Sequence, residues 1–464
     1  MRCCWPLIAR AAVLALLGCP ADPVAGKTIH ELVGRVDVVS DPVDVDLVLG
    51  AASVAGVVHV VGEESGVGAR QRVDPADGTV FALEPFTSHS QLSDPGVGDP
   101  GGSVTGVAAD GAGNALYVGG SANASIGDAF SPTFWQDPSS PAFVADPFAA
   151  GTLEDIASTG VFVGFESQAV VGTLSQGVRA LDGTGPSDTA IGISESGRMA
   201  VGSKVWMIDP VTLDSTVIDT SAWQQPVDAS FLADFRGVID APGDDAVVFR
   251  EYIDAAVKPH VGAWRVSDGA LLGSTGPGTV FADGAFVEET LVVGVNGESG
   301  GELHTLVDPD QLLLGDLLGQ SVSIAFDSFF TGSFGLVTAG GTNAATVVTF
   351  APPTTGDMDC DGDVDFDDID ELVVGLTNPN QYESIYGVPP QLKGDTDGDG
   401  DLDFDDIGGF VAILRTPSTS VRVPEPPAIG LAILAALLLA SVLGVRCTDF
   451  LLFREAEQND VRVW

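Results

Sequence analysis

Cysteine, basic residues and histidine are all scarce in this sequence, and each scarcity removes a class of function. Only five cysteines occur in 464 residues, at positions Cys3, Cys4, Cys19, Cys360 and Cys447. Four of these lie in terminal segments that read as processing signals, which leaves Cys360 alone and excludes a disulfide framework. The mature chain must then be held by its core and by metal. Nineteen Lys and Arg face 65 Asp and Glu, for a formal net charge of -46. Nucleic-acid binding needs cations to replace counterions on phosphates, so no nucleic-acid partner is expected. Such a balance favours solubility and cation binding instead. The five histidines, His30, His59, His89, His260 and His304, form no His-x-x-x-His or His-Glu-x-x-His spacing, which argues against the usual zinc hydrolases. Gly-x-Ser-x-Gly and Gly-x-x-x-x-Gly-Lys are also missing.

Apolar residues are plentiful at 45%, with 58 Gly and 28 Pro, as many short strands joined by tight turns require. Between residues 30 and 352 little helical periodicity occurs. Short Val-, Phe- and Thr-rich runs recur instead, such as Val57–Val61, Ala115–Val118, Val161–Phe165 and Leu291–Val295. Clusters such as Asp74-Pro75-Ala76-Asp77-Gly78, Asp182-Gly183, Asp209-Pro210, Asp268-Gly269 and Asp308-Pro309 separate them as turns. Strand-rich units begin near residues 46, 102, 150, 188, 228, 278 and 320, a period of about 45 residues that suits four-stranded blades. The rhythm resembles that of extracellular bacterial β-propellers and implies a mainly β body of six or seven blades over residues 27–350. A β-sandwich or stacked β-domains would also account for the strands. No repeating signature dipeptide marks the blades.

Catalysis in the body has thin support. Gly297-Glu298-Ser299-Gly300-Gly301 is similar to a trypsin-like nucleophile string, but its histidine context is missing and a hairpin turn produces it as readily. Glycosidases need only two acids roughly 5–10 Å apart, and so acidic a chain offers many pairs without naming one. Trp135, Trp206, Trp223 and Trp264 fit either a sugar platform or blade packing.

Both ends read as addresses. Residues 1–26 have Arg2 and Arg10, an apolar run Ala11–Leu17 and a small-residue site Val24-Ala25-Gly26, the pattern of a secretory signal. Leu16-Leu17-Gly18-Cys19 resembles a bacterial lipoprotein box and offers a rival site. Near the other end, Val423-Pro424-Glu425-Pro426 in a linker (416–427) precedes an uncharged apolar run, Ala428–Val445, then Arg446 and a tail to Trp464. At about 1.5 Å per residue, this run spans most of a hydrocarbon core of about 30 Å. The order resembles the PEP-CTERM sorting signal of bacterial envelope proteins. That resemblance implies a transmembrane sorting helix (428–445), a cytoplasmic tail (446–464), an exosortase-type partner and removal of the anchor. The tail departs from the pattern in its length and in lacking an Arg cluster, and a plain membrane anchor fits the run as well.

The most specific chemistry lies between these features. Beyond a Pro/Thr linker (351–356), two twelve-residue acidic loops run Asp357–Asp368 and Asp395–Asp406. Calcium takes six to eight hard oxygens, and such a loop supplies them from positions 1, 3, 5, 7, 9 and 12. The expected ligands are therefore Asp357, Asp359, Asp361, Asp363, Asp365 and Asp368 in loop one, and Asp395, Asp397, Asp399, Asp401, Asp403 and Asp406 in loop two. Gly362 and Gly400 occupy position 6, where the turn requires positive φ. Val364 and Leu402 at position 8 are expected to pair the loops through a short β-bridge. Helical apolar faces follow: Ile369, Leu372, Val373 and Leu376, then Phe410, Val411, Ile413 and Leu414.

Two loop–helix halves of this kind resemble a type I dockerin, an EF-hand pair, over residues 356–415. The resemblance implies a small α-helical module (357–415), two Ca2+ ions and a cohesin-like protein partner. The sequence departs from cellulosomal dockerins at loop positions 10 and 11, where Phe366-Asp367 and Phe404-Asp405 stand in place of Ser-Thr, and at an apparent insertion, Asn378–Leu392. The expected protein is exported to the envelope, surface or medium. It carries a β-body for an unknown ligand and docks through calcium; a dockerin-borne enzyme of polysaccharide catabolism and a calcium-rigidified spacer are the competing readings.

Overall fold

The computed structural model describes residues 27–87, 103–123, 129–143, 151–287, 289–306, 311–318, 320–325, 327–330, 334–340, 345–352, 354–360, 364–386, 388–398 and 400–415. The expected signal segment, the Pro-Glu-Pro stretch, the apolar run 428–445 and the tail lie outside these residues. Among those described, no helix is long and apolar enough to cross a membrane. The chain divides into two compact units, one comprising Met1–Pro353 and Ser384–Val388, the other Thr354–Glu383 and Pro389–Trp464.

The first unit is a seven-bladed β-propeller, made of seven separate four-stranded antiparallel sheets. The first strands of the blades are Leu47–Val54, Ser103–Ala109, Thr152–Ile156, Ala190–Ile193, Ala229–Ala241, Val280–Val287 and Val322–Ile324. Blades one to six each take four consecutive strands, whereas blade seven takes its outermost strand, Arg35–Val39, from the N-terminal side. That strand pairs antiparallel with Ala345–Ala351, Val36 opposite Phe350 and Val39 opposite Val348. Seven buried clusters, each drawing on two neighbouring blades, fill the space between sheets. Seven interfaces among seven blades require a closed ring, since an open row would have six.

Turn chemistry explains why the strands end where they do. Asp74, Asp110, Asp137, Asp209, Asp254 and Asp268 each accept a hydrogen bond from the backbone N–H two residues on, at 2.8–3.1 Å. This Asx geometry stabilises a reversal of the chain, so part of the acidic excess is structural. Glu298 and Ser299 form the tip of a hairpin in which Gly297 pairs with Gly300, so that string is a turn. Trp135, Trp206 and Trp264 are buried, and their indole N–H groups donate to the carbonyls of Thr87, Asp182 and Gln224 at 3.2, 3.0 and 2.7 Å. They are packing residues, unavailable to a sugar. Among the described histidines, His59 bonds Tyr117 Oη at 2.7 Å, His260 lies 3.3 Å from Asp254 and His304 lies 3.1 Å from Glu302.

Ahead of the closing strand, the short helix Ile29–Leu32 is capped by Thr28 and Glu31 in a reciprocal capping box. Its Ile29 is fully buried in the cluster between blades six and seven, with Leu303, Leu312 and Val348. Ile29→Ala leaves a cavity at the ring's closure, and a cost of about 2–4 kcal/mol is expected. Chemical denaturation of the propeller measures it; an unchanged midpoint would show that closure does not depend on this segment.

Candidate functional site: two acidic centres

The second unit holds the two acidic loops. Helix Asp368–Thr377 follows loop one and helix Asp406–Leu414 follows loop two, with helices Pro379–Tyr386 and Gln391–Gly394 between them. In each loop the carboxylate at position 12 ties the loop's ends together. Asp368 Oδ1 accepts from the N–H groups of Met358 (2.5 Å) and Asp359 (3.0 Å), and Oδ2 from Asp365 (2.8 Å). Asp406 repeats the arrangement with Thr396 (2.7 Å), Asp397 (3.3 Å) and Asp403 (2.9 Å). In both loops the same three positions, 2, 3 and 9, therefore donate to the position-12 carboxylate.

This fastening brings positions 1, 3 and 12 together. One carboxylate oxygen each from Asp357, Asp359 and Asp368 lies within 4.8 Å of the others, and Asp395, Asp397 and Asp406 match them. Hard oxygens converging this closely suit a hard cation. Gly400 has φ +97° at position 6 of loop two, the conformation a glycine is needed for. Asp365, Asp401 and Asp403 are exposed loop residues; Asp361, Asp363 and Asp399 lie outside the described residues.

Burial pushes the Asp368 carboxyl up to about 6 despite its three N–H donors. Burial also opposes ionisation of Asp406, but the donors from Asp403, Thr396 and Asp397 outweigh it and hold the carboxyl below the usual range. Loop one has a further partner: the fully buried Lys393 places Nζ 3.3 Å from Oδ2 of the equally buried Asp357. Lys393 is the one base between residues 357 and 406, and it lies against position 1 of loop one. Its backbone carbonyl also accepts from Gly356 N–H at 2.7 Å, joining the two halves.

Two expectations are corrected here. Val364 and Leu402 form no β-bridge among the described residues. Instead, Val364 and Ile413 close on Gly356, where an added Cβ would lie 2.9 and 3.3 Å from them, and Leu402 closes on Gly375 and Gly394. Side-chain packing across the halves replaces backbone pairing. Val373, expected on an apolar helix face, is 48% exposed, while Leu372 and Phe410 are buried. Phe366 and Phe404, at position 10 of each loop, are 50% and 75% exposed.

The second acidic centre escapes sequence reasoning altogether. The first strands of blades one to six, with Asp327, Phe329 and Phe330 after the first strand of blade seven, line one central channel of about 570 Å3. In blades one to six a bulge interrupts the first strand at the same place. The residue after it is Gly50, Gly106, Gly192 or Gly237 in four blades, but Asp155 in blade three and Asp283 in blade six. Glycine there lets the next blade approach: a Cβ on Gly106 would lie 3.0 Å from Asp155 Cα. Asp155 and Asp283 answer the bulge by accepting backbone N–H groups. Asp155 takes Ile156 (2.7 Å) and Ile193 of blade four (2.8 Å); Asp283 takes Gly284 and Phe329 of blade seven, both at 2.6 Å. Each carboxylate thus fastens its own bulge to the following blade.

Asp327 lines the same channel, and its carbonyl accepts from Ala51 N–H of blade one at 2.8 Å. These acids keep some accessible surface along the channel, yet protein encloses them. Burial is the first cause pushing Asp155 up to about 7 and Asp283 up to about 6. Asp327 rises well above the carboxylate range through burial and then through repulsion from Asp155, Asp283 and Glu195. The one sequence signal is an Asp standing where sister strands carry Gly, visible only once the blades are aligned.

No family model matches the chain, and no curated protein matches its sequence. Solved structures of similar fold include Kuenenia stuttgartiensis hydrazine synthase, at 11% identity over 67% of this chain and 98% of that chain, with a TM-score of 0.41. The WD40 domain of Toxoplasma gondii coronin is similar at 11% identity over 71% and 86%, with a TM-score of 0.41. The blade count rests on the strands themselves.

Folding raises the pKa of the Asp327 carboxyl above its unfolded value, so the folded state holds this proton more tightly. The stability it contributes is complete below about pH 4 and is lost as pH rises through the folded pKa. As pH rises above the ordinary carboxylate range, wild type should lose more thermal stability than Asp327→Asn. His59, lowered to about 4 by burial and then by Arg70 and Arg72, pulls the other way in both proteins and cancels. Parallel melting curves for the two proteins would contradict this assignment.

Proposed function

We propose that this chain is an exported calcium-binding protein in which the paired loops bind two Ca2+ ions and form a docking module for a protein partner, with the propeller as the body it positions. The observation that carries the reading is the matched convergence of Asp357, Asp359 and Asp368 in one loop and Asp395, Asp397 and Asp406 in the other. Each set is held by the same N–H pattern to its position-12 carboxylate. Bound calcium would supply the positive charge that lets these carboxylates share a few ångströms, and its binding free energy would be folding free energy for the unit. At free calcium of about 100 times Kd, each site adds about 2.7 kcal/mol.

The exposed phenylalanines support docking over a plain spacer. Phe366 and Phe404 hold equivalent places in the two halves, and Val373 and Ile407 are also exposed (48% and 38%). A rigid spacer has no use for paired aromatics in water, whereas interfaces are enriched in aromatic residues. Beside Asp367 and Asp405 they suit a partner surface offering apolar pockets rimmed by basic groups. The partner class that fits is cohesin-like, and the signals at the two ends of the sequence support delivery to the envelope.

Limited proteolysis of the full chain tests the metal claim. In a calcium chelator, cleavage between residues 357 and 414 is expected while the propeller resists; added calcium restores protection. Equal protection with and without calcium would sink the calcium-dependent module. The docking claim has its own test: Phe366→Ala with Phe404→Ala should weaken calcium-dependent partner binding by at least about tenfold, a loss of about 1.4 kcal/mol, without changing calcium affinity. Unaltered binding by this variant would favour the spacer.

A further inference from the structure

The two loops present the same ligand positions, yet their surroundings differ at position 1. In loop one Asp357 is fully buried, and its Oδ2 lies 3.3 Å from Nζ of the equally buried Lys393. In loop two the equivalent Asp395 is half-buried. Its carboxylate accepts the N–H groups of Gly398 (2.6 Å) and Gly400 (2.9 Å) from its own loop. The difference continues along the loops. Met358 at position 2 is buried, and its carbonyl accepts from the buried Tyr382 Oη at 2.7 Å, whereas Thr396 is half-buried and Asp397 is exposed.

Lys393 is fixed by backbone as well as by charge. It lies in the short helix Gln391–Gly394, and its carbonyl accepts from Gly356 N–H at 2.7 Å. A lysine is almost never fully buried unless it is paired. Here its partner is the first of the three carboxylates that converge in loop one.

A divalent cation that takes Asp357 as a ligand must share that carboxylate with an ammonium. Like charges repel more strongly where protein replaces water, and withdrawing the ammonium leaves a buried charge unpaired. Either route lowers the affinity of loop one. Preorganisation acts the other way, but Lys393 adds little of it. Asp368 already fixes loop one through Met358, Asp359 and Asp365, as Asp406 fixes loop two through Thr396, Asp397 and Asp403. We propose, on the reading of both loops as calcium sites, that Lys393 is the resident cation of loop one and sets the order of filling. Loop two takes calcium first, and loop one takes it only at higher calcium.

Native mass spectrometry of the full chain over a series of free calcium concentrations tests this. Wild type should pass through a one-ion species, with the two affinities at least about tenfold apart. Asp395→Asn combined with Asp406→Asn should remove the tighter ion and keep the weaker one. Lys393→Met, added to that pair, should tighten the remaining ion by at least about tenfold. Lys393→Gln keeps an N–H donor for Asp357 without the charge; it should do the same, and it supplies the reading if the Met variant fails to fold. Two ions taken up with equal affinity by the wild type, or unchanged or weaker binding in the Lys393 variants, would overturn the inference. Those outcomes still leave calcium bound, so the calcium reading survives them. A wild type free of ions at every concentration would overturn both.

Discussion

The body depends on one pairing, between the early strand Arg35–Val39 and the late strand Ala345–Ala351. Sheets of four strands are individually marginal, and each blade here buries its faces only against its neighbours. Closing the ring converts two exposed end faces into a seventh interface, built from Val43, Val45, Val58, Val337 and Val347 among others. Among the described residues Cys360 is the one cysteine and it is free, and hydrogen bonding between residues more than 300 positions apart closes the ring. Such a closure carries a loop-closure cost, which the capped helix at Ile29–Leu32 helps to offset by burying Ile29 and Leu32 beside the join.

Once the ring is closed, acids serve three distinct ends. Turn aspartates accept local N–H groups and cost little, because water still reaches them. Loop aspartates converge, three carboxylate oxygens in each loop lying within 4.8 Å of one another. Channel aspartates fasten bulges across blade boundaries at the expense of desolvation and mutual repulsion. Net charge alone does not separate these roles; what separates them is what each carboxylate accepts. Asp155 and Asp283 accept two backbone donors each, which ties them to the blade boundaries.

Much of the propeller was legible in the sequence, for a physical reason. Its hairpin turns need Gly and Asp, so punctuation near residues 46, 102, 150, 188, 228, 278 and 320 falls within two residues of the observed first strands at Leu47, Ser103, Thr152, Ala190, Ala229, Val280 and Val322. Position 12 of both loops (Asp368, Asp406) and position 6 of loop two (Gly400) could be read as well, because backbone geometry restricts what stands there. Side-chain packing was less legible. Val373 fits a helical apolar stripe yet faces water, and Val364 and Leu402 pack on glycines of the unit instead of bridging. The channel acids were illegible, since Leu153-Glu154-Asp155 and Phe281-Ala282-Asp283 look like ordinary half-buried strands. Only the bulge register places Asp155 and Asp283 where Gly50 and Gly106 stand in sister blades. Lys393 was visible as a lone base, but its burial against Asp357, 36 residues earlier in the chain, required the fold.

The central claim is that these two loops are calcium sites of equal design. Native mass spectrometry of the calcium-equilibrated full chain counts the ions directly. The account predicts two bound Ca2+ in the wild type and one when Asp395→Asn and Asp406→Asn are combined. An ion-free wild type, or a variant that still holds two, would contradict it.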